Sequence, residues 1–269
     1  MILRVDSLTH RYPGGTLALR DVSLQVRAGE RVAVVGPNGA GKSTLARHLI
    51  GILRPTSGVV EVDGRSTEGL PVAALARTVG FVFQNPDNQL HARTVADEVA
   101  FGPRNLGFSA ARRDELTAWA LRVTGLSGNA SDHPHHLSFS RRKRVALASV
   151  LAMDTPVLIL DEPTINQDHR SLELLGTVVD ELAARGKTLV AVTHDMDFCA
   201  RHFDRVVVMH QGRVRWDGPF EQWLDDPEHA ARAGELPQVT RLGRALGWNA
   251  PPATVDAFLD RLRARDGAA

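Results

Sequence analysis

Val32-Ala33-Val34-Val35 runs directly into Gly36-Pro37-Asn38-Gly39-Ala40-Gly41-Lys42-Ser43-Thr44, and Lys42–Ile50 continues with helical spacing. The β-branched run predicts a strand, and the segment after it predicts a helix. Between them, Gly36, Gly39 and Gly41 allow backbone conformations that a side chain would block, so successive N–H groups can wrap an anion. The positive end of the following helix points at the same place. Lys42 is placed to reach the β- and γ-phosphates of a nucleotide, and the Ser43 hydroxyl is a suitable Mg²⁺ ligand. This is a complete Walker A pattern, and Gly36, Pro37, Asn38, Gly39, Ala40, Gly41, Lys42, Ser43 and Thr44 are the expected nucleotide-contacting residues.

A second carboxylate motif lies far downstream. Val157-Leu158-Ile159-Leu160 is wholly apolar, as expected of a strand at the centre of a parallel sheet, and it ends in Asp161-Glu162. Asp161 at the strand end suits Mg²⁺, and Glu162 suits the orientation of an attacking water. Val59–Val62, Phe81–Phe83 and Thr188–Val192 read as further strands, and Ala110–Val123 as a helix. Val206–Met209, Gln211-Gly212 and Arg213–Trp216 read as a hairpin. The first 30 residues, with their Pro13-Gly14-Gly15 turn, suggest an antiparallel β region. Strands alternating with helices predict an α/β fold with a mostly parallel sheet. After about residue 222 the strand signals stop, and 228–246 and 253–264 read as short helices around Pro251-Pro252.

Bulk properties narrow the partners. The chain has 269 residues, a net charge of +1 and one cysteine, Cys199. The charge gives no global electrostatic case for nucleic acid or an anionic membrane surface. A single cysteine excludes an internal disulfide and points to a reducing compartment. No apolar run is long enough to span a bilayer, and the N-terminus lacks the charge-then-apolar order of a signal peptide.

Several motifs, in order along residues 1 to about 222, resemble those of ATP-binding cassette proteins. Asp161-Glu162-Pro163-Thr164 is similar to their Walker B, Thr193-His194-Asp195 to their switch histidine, and Phe83-Gln84 to their Q-loop. Tyr12 stands where the family places an aromatic that stacks on adenine, although Tyr also favours strands on its own account. Leu137-Ser138 opens a helix where the family has its signature. A narrower resemblance, to ATPases of energy-coupling factor and cobalt or nickel importers, lies in Gln84-Asn85-Pro86-Asp87-Asn88-Gln89-Leu90 and in Thr94–Pro103. Gln167-Asp168 and Pro237–Leu242 suit the same subgroup.

The resemblance implies an ABC-type P-loop ATPase with an N-terminal antiparallel β region, a helical signature subdomain about residues 85–153, a main domain over 1–222 and a helical appendage over 223–269. It implies ATP and Mg²⁺, with Ser43, Gln84 and Asp161 at the metal, Glu162, His194, Lys42 and Gln84 in catalysis, and Tyr12 and Ser138 at nucleotide. It also implies work in pairs on the cytoplasmic face of the cell membrane, with a transmembrane coupling protein and a small substrate-binding membrane protein. The imported cargo would be a vitamin or transition-metal ion.

The chain departs from the family at the signature, usually Leu-Ser-Gly-Gly-Gln, which here reads Leu137-Ser138-Phe139-Ser140-Arg141. Ile165-Asn166 replaces small residues in the D-loop. Such changes favour a heterodimer in which this chain offers a weak signature to a partner, with a homodimer as the alternative. The run Arg141-Arg142-Lys143-Arg144 reads as a solvated helix face rather than a nucleic-acid patch, since no aromatics interleave with it. His133, His135 and His136 lack the companions of a metal site. The competing readings are a soluble cassette ATPase acting on nucleic acid or the ribosome, and a regulatory subunit with little turnover.

Overall fold

The computed structural model describes residues 1–224 and 236–266. Two sheets make up the β framework. The first has four antiparallel strands in the order β2-β1-β4-β5, with β1 Leu3–Arg11, β2 Leu17–Val26, β4 Ser57–Val62 and β5 Arg65–Ser66. The second has six strands in the order β10-β9-β3-β8-β7-β6. Its members β9 Arg205–His210, β3 Arg31–Val35, β8 Thr188–Val192, β7 Val157–Asp161 and β6 Val79–Val82 run parallel, and β10 Arg213–Pro219 pairs antiparallel at the edge. All five residues of β7 and all five of β8 are buried, because the parallel sheet is covered on both faces.

The faces carry separate cores. One side of the sheet packs on the four-stranded sheet and α1 (Lys42–Leu49), through Leu3, Leu19, Leu45, Ile159 and Met209 among others. The other side packs on helices, through Leu160, Ala191, Val206, Val145 and Val179. Alternate residues of one strand, Leu160 and Ile159, thus serve different cores, as the period of two requires.

Three helices pack on one another beyond β6: α3 Val95–Asn105, α4 Ala110–Val123 and α5 Phe139–Leu151. The short α2 spans Val72–Leu75. Helix α6 covers His169–Ala184, α7 Met196–His202 and α8 Phe220–Leu224, whose Trp223 is fully buried. Side chains cap the N-termini of α3 to α7, namely Thr94, Ser109, Ser138, Asp168 and Asp195. The predicted hairpin forms: Gln211 and Gly212 both take positive φ, +50° and +75°, the geometry a two-residue connection needs.

Beyond α8, the described part of the tail holds α9, Gln238–Ala245, and α10, Val255–Asp266. The first helix expected there, over 228–246, lies partly outside the described residues. The tail is tied back by the Gln238 N–H, which donates to Asp197 Oδ1 at 2.9 Å, and by Arg244, which donates to the Leu224 carbonyl at 2.7 Å. Trp248 stacks on Phe258 at 4.7 Å. No helix among the described residues is long and apolar enough to cross a membrane. Cys199 is fully buried.

Ile159 sits at the centre of the parallel sheet with no exposed surface. Ile159→Ala is expected to cost about 2–5 kcal/mol of folding stability through lost contacts and the cavity left behind, measured as a shift in the urea unfolding midpoint at unchanged slope.

Candidate functional site

The site lies at the carboxyl ends of β3, β7 and β8. Gly36 leaves β3 at φ +143°, and Gly41 enters α1 at φ +101°. Both positions are crowded by backbone: a Cβ on Gly36 would lie 2.1 Å from the Met209 carbonyl oxygen, and one on Gly41 would lie 2.7 Å from that of Ala18. These contacts force the loop to carry hydrogen at the two positions. Gly41 is the N-cap of α1, and no side chain caps this helix. Its first-turn N–H groups are therefore open to an anion, whereas α3 to α7 use serine, threonine or aspartate there.

Lys42 is buried, 6% exposed, and its Nζ donates to the carbonyls of Gly36 at 2.7 Å and Pro37 at 3.3 Å. It stands 4.0 Å from Glu162 Oε1. Burial lowers its pKa, and the charges of Glu162 and Asp161 oppose that effect. The neighbouring Ser43 hydroxyl donates to Asp161 Oδ1 at 2.9 Å, joining the loop to the end of β7. Burial raises the pKa of Asp161, against the Ser43 hydrogen bond and the charges of Arg47, Lys42 and Lys143. A carboxylate 2% exposed, paired with a hydroxyl, is an all-oxygen donor set that suits a hard cation such as Mg²⁺.

Glu162 follows with φ +49°, a conformation a non-glycine residue adopts only under constraint. Its N–H donates to the Val192 carbonyl at 2.7 Å, fixing it to the end of β8. Its Oε2 accepts a hydrogen bond from His194 Nδ1 at 3.0 Å. Since the carboxylate can only accept, Nδ1 carries the proton. The His194 ring could then donate through Nε2 as well only when doubly protonated. Thr193, before it, approaches Thr164 at 3.4 Å between hydroxyls and accepts the Asp195 N–H at 3.1 Å.

Other expected residues lie further out. The Tyr12 hydroxyl is 3.1 Å from that of Thr44, and its ring meets His10 edge-on. This puts Tyr12 beside α1, at the nucleotide loop. Gln84 is exposed just beyond β6. Its neighbour Gln89 anchors that segment: Oε1 accepts the Phe83 N–H at 3.3 Å, and Nε2 donates to the Ala146 carbonyl at 2.8 Å and to Ser149 at 2.9 Å. Buried Glu98 accepts the N–H groups of His91 and Ala92 at 2.8 and 2.7 Å. Ser138 caps α5 in an exposed position, accepting the Arg141 N–H at 3.4 Å, and does not touch the site of its own chain.

The solvated reading of Arg141–Arg144 requires correction. Arg141 is exposed, but Arg142 reaches Asp87 at 2.9 Å, Arg144 donates to the Thr124 carbonyl at 3.3 Å, and Lys143 is 6% exposed. One turn of a helix points in every direction, so a run of four charges cannot all face solvent on a helix packed on one side. Burial brings the Lys143 pKa down to about 8, with Glu162 and Asp161 opposing. Its ammonium donates to the carbonyls of Glu162, Pro163 and Ile165 at 2.8, 3.3 and 3.0 Å. Sequence reasoning missed this residue. The available signal was its spacing with Ser140 and Leu147, which marks an inward face. The altered signature residue Ser140 also points inward, donating to Gln167 Oε1 at 3.0 Å beside Ser171 at 2.9 Å. Among the described residues no group of three or more metal-ligating side chains gathers, and His133, His135 and His136 lie in a short turn before α5, with His135 3.7 Å from Asp87.

An anion loop feeding an uncapped helix, closed by a strand-end carboxylate pair and a histidine, defines a P-loop ATPase. Comparison with known proteins places it further. The ABC transporter family pattern matches residues 19–165. A putative ABC transporter ATP-binding protein of Methanosarcina acetivorans is 41% identical over 97% of this chain, which spans 43% of that protein's length. The energy-coupling factor transporter ATP-binding protein EcfA of Methanocaldococcus jannaschii is 40% identical over 90% of this chain and 88% of its own length. Among solved structures, cbiO1 from Clostridium perfringens, described as part of the ABC transporter complex cbiONQ, has a TM-score of 0.77 at 33% identity, covering 92% of this chain and 99% of that one. The chain belongs to the ABC transporter family, among its ATP-binding, ATP-hydrolysing subunits.

Because the Met209 carbonyl occupies the space a Cβ on Gly36 would need, Gly36→Ala must displace the loop from β9. Expected is a loss of at least about tenfold in affinity for a non-hydrolysable ATP analogue, equivalent to about 1.4 kcal/mol, read by calorimetric titration.

Proposed function

We propose that this chain is the ATP-hydrolysing motor of a membrane importer of the energy-coupling factor type, moving a vitamin or transition-metal ion. The observation that carries the chemistry is the setting of Glu162: buried, with Lys42 on one oxygen and His194 on the other, next to the Ser43–Asp161 pair. In this reading the loop from Gly36 to Thr44 cradles the triphosphate, with Pro37, Asn38, Gly39, Ala40 and Gly41 supplying backbone. Lys42 gives up its carbonyl partners for the phosphate charge, and Tyr12 meets the adenine. Ser43, Asp161 and Gln84 hold Mg²⁺, which supplies charge neutralisation on the phosphate oxygens. Glu162 accepts the proton of the attacking water as its oxygen bonds to the γ-phosphorus and the bond from that phosphorus to the β–γ bridging oxygen breaks, with ADP as the leaving group. His194 holds that carboxylate in place, and when doubly protonated also donates to the γ-phosphate.

Pairing completes the site. Ser138, at the exposed N-terminus of α5, is the residue offered to a partner's nucleotide. Phe139, Ser140 and Arg141 make this a modified signature and favour a heterodimer with a second cassette ATPase over a homodimer. The main domain would be 1–222 and the appendage 223–269. A transmembrane coupling protein is supported by the apolar groove beside the Gln84 segment, where exposed Ile52, Val72 and Phe101 stand with Phe83 and Met153. A small membrane protein would bind the cargo, and attachment would be peripheral, at the cytoplasmic face of the membrane.

The test is to tag the chain in its native cell, purify it from membranes in mild detergent and assay what accompanies it. The expected result is a membrane coupling protein, a substrate-binding membrane protein and Mg²⁺-dependent ATPase activity. Recovery with ribosomal or nucleic-acid partners alone would overturn the importer reading. In the complex, Glu162→Gln is expected to lower kcat by about 10²–10⁴-fold while ATP-analogue binding is retained.

A further inference from the structure

Glu162 holds a constrained backbone conformation, φ +49°, and that conformation decides where its carboxylate points. The peptide on its N-terminal side is fixed by the hydrogen bond from Glu162 N–H to the Val192 carbonyl. The peptide on its C-terminal side is fixed by a side chain from another element: Lys143 of α5 donates to the Glu162 carbonyl at 2.8 Å. The same ammonium reaches the carbonyls of Pro163 and Ile165. A lysine ammonium has three donors, and each here meets a carbonyl. Such a group is tolerated in the interior only with its donors satisfied, so Lys143 and the turn after β7 specify one another.

Helix α5 grips the same segment once more. Ser140, three residues earlier on the same helix face, donates to Gln167 Oε1 and lies beside Ser171. Asp168, between them in sequence, accepts the Ser171 N–H at 2.8 Å and caps α6. The stretch from Glu162 to Gln167 is therefore held at its start by Lys143 and at its end by Ser140. Ser138, the N-cap of α5, sits five residues before Lys143, roughly 7–8 Å along a helix that rises about 1.5 Å per residue.

We propose that Lys143 is a positioning residue for Glu162, a strut through which the helix bearing this chain's signature sets the catalytic carboxylate of the same chain. The proposal rests on the ATPase reading given above. It assigns α5 two tasks in a pair: its exposed N-terminus meets the nucleotide of the partner, and its buried side fixes the turn that aims Glu162 at the nucleotide of its own loop. Movement of α5 on closure then reaches the chemistry through three hydrogen bonds to backbone. Lys143 does not touch substrate and acts through Glu162 and the turn that carries it.

The experiment measures steady-state ATPase activity of the full complex purified from membranes, with ATP and Mg²⁺, for wild type, Lys143→Met and Lys143→Gln. Methionine keeps the apolar length and removes all donors; glutamine offers two. Expected for Lys143→Met is a kcat lower by about tenfold to hundredfold, the penalty typical of a catalytic group displaced by about an ångström. KM for ATP stays within about twofold, because the phosphate loop is untouched. Lys143→Gln falls between the two. A residue that merely supported the fold would lower the melting temperature without separating kcat from KM. If Lys143→Met fails to assemble, Lys143→Gln decides: a several-fold lower kcat at unchanged KM upholds the strut, and wild-type kcat overturns it. A folded Lys143→Met complex with wild-type kcat overturns this proposal alone. A wild-type complex that hydrolyses no ATP overturns the functional reading and this proposal with it.

Discussion

Asp161 and Glu162 leave the end of β7 with 2% and 6% of their surface exposed, and two adjacent buried carboxylates cannot stay ionised without compensation. Much of the surrounding structure supplies it. Ser43 donates to Asp161, Lys42 stands against Glu162 from the α1 side, His194 donates to it from beyond β8, and Lys143 approaches from α5. Three elements that share no local sequence, α1, the segment after β8 and α5, thus converge on the end of β7. Both lysines are themselves buried, with pKa values lowered by burial and held up by these acids. Neither acids nor lysines would be tolerable there alone.

The parallel sheet makes the convergence possible. Register places Val34 beside Val192, and Asp161 beside Val192 on the other side. The loops leaving β3, β7 and β8 therefore emerge at the same edge, the usual location of ligand sites in such sheets. Residues more than a hundred positions apart, Ser43 and Asp161, come to 2.9 Å. Gly36 and Gly41 allow the first loop to press against β9 and β2, so the hairpin of β9 and β10 backs the phosphate loop.

Helix α5 shows how a departure from a family pattern can be absorbed. Ser140 stands where a glycine is common, and its hydroxyl donates to Gln167 Oε1 in the D-loop. Gln167, which suits the subgroup, thus gives the added hydroxyl an acceptor where glycine would need none. Phe139, next to it, lies under the Arg142 guanidinium at 5.6 Å, and Arg142 also pairs with Asp87 of the Gln84 segment. The altered signature is thereby tied both to the turn after Glu162 and to the groove proposed to receive a membrane partner.

The phosphate loop, the strand-end acids and the hairpin turn were legible in the sequence because each depends on local chemistry: glycine where φ is positive, an apolar run for a doubly covered strand, Gln-Gly for a two-residue connection. Ala110–Val123 could be read to the residue because its ends carry a serine cap and a glycine after its last turn. The antiparallel pairing of the first strands was legible in outline, but not that β4 and β5 join them rather than the parallel sheet. Lys143 was hidden because one-dimensional charge clustering says nothing about which helix face is packed. Ser140 and Gln167 were hidden for a related reason: a hydroxyl and an amide twenty-seven residues apart form a pair only when two elements dock. Sequence alone determined which chemical groups exist and the local backbone that presents them. Tertiary structure decided which were buried against one another, because the cost of a buried charge depends on its neighbours in space, and chain order does not name them.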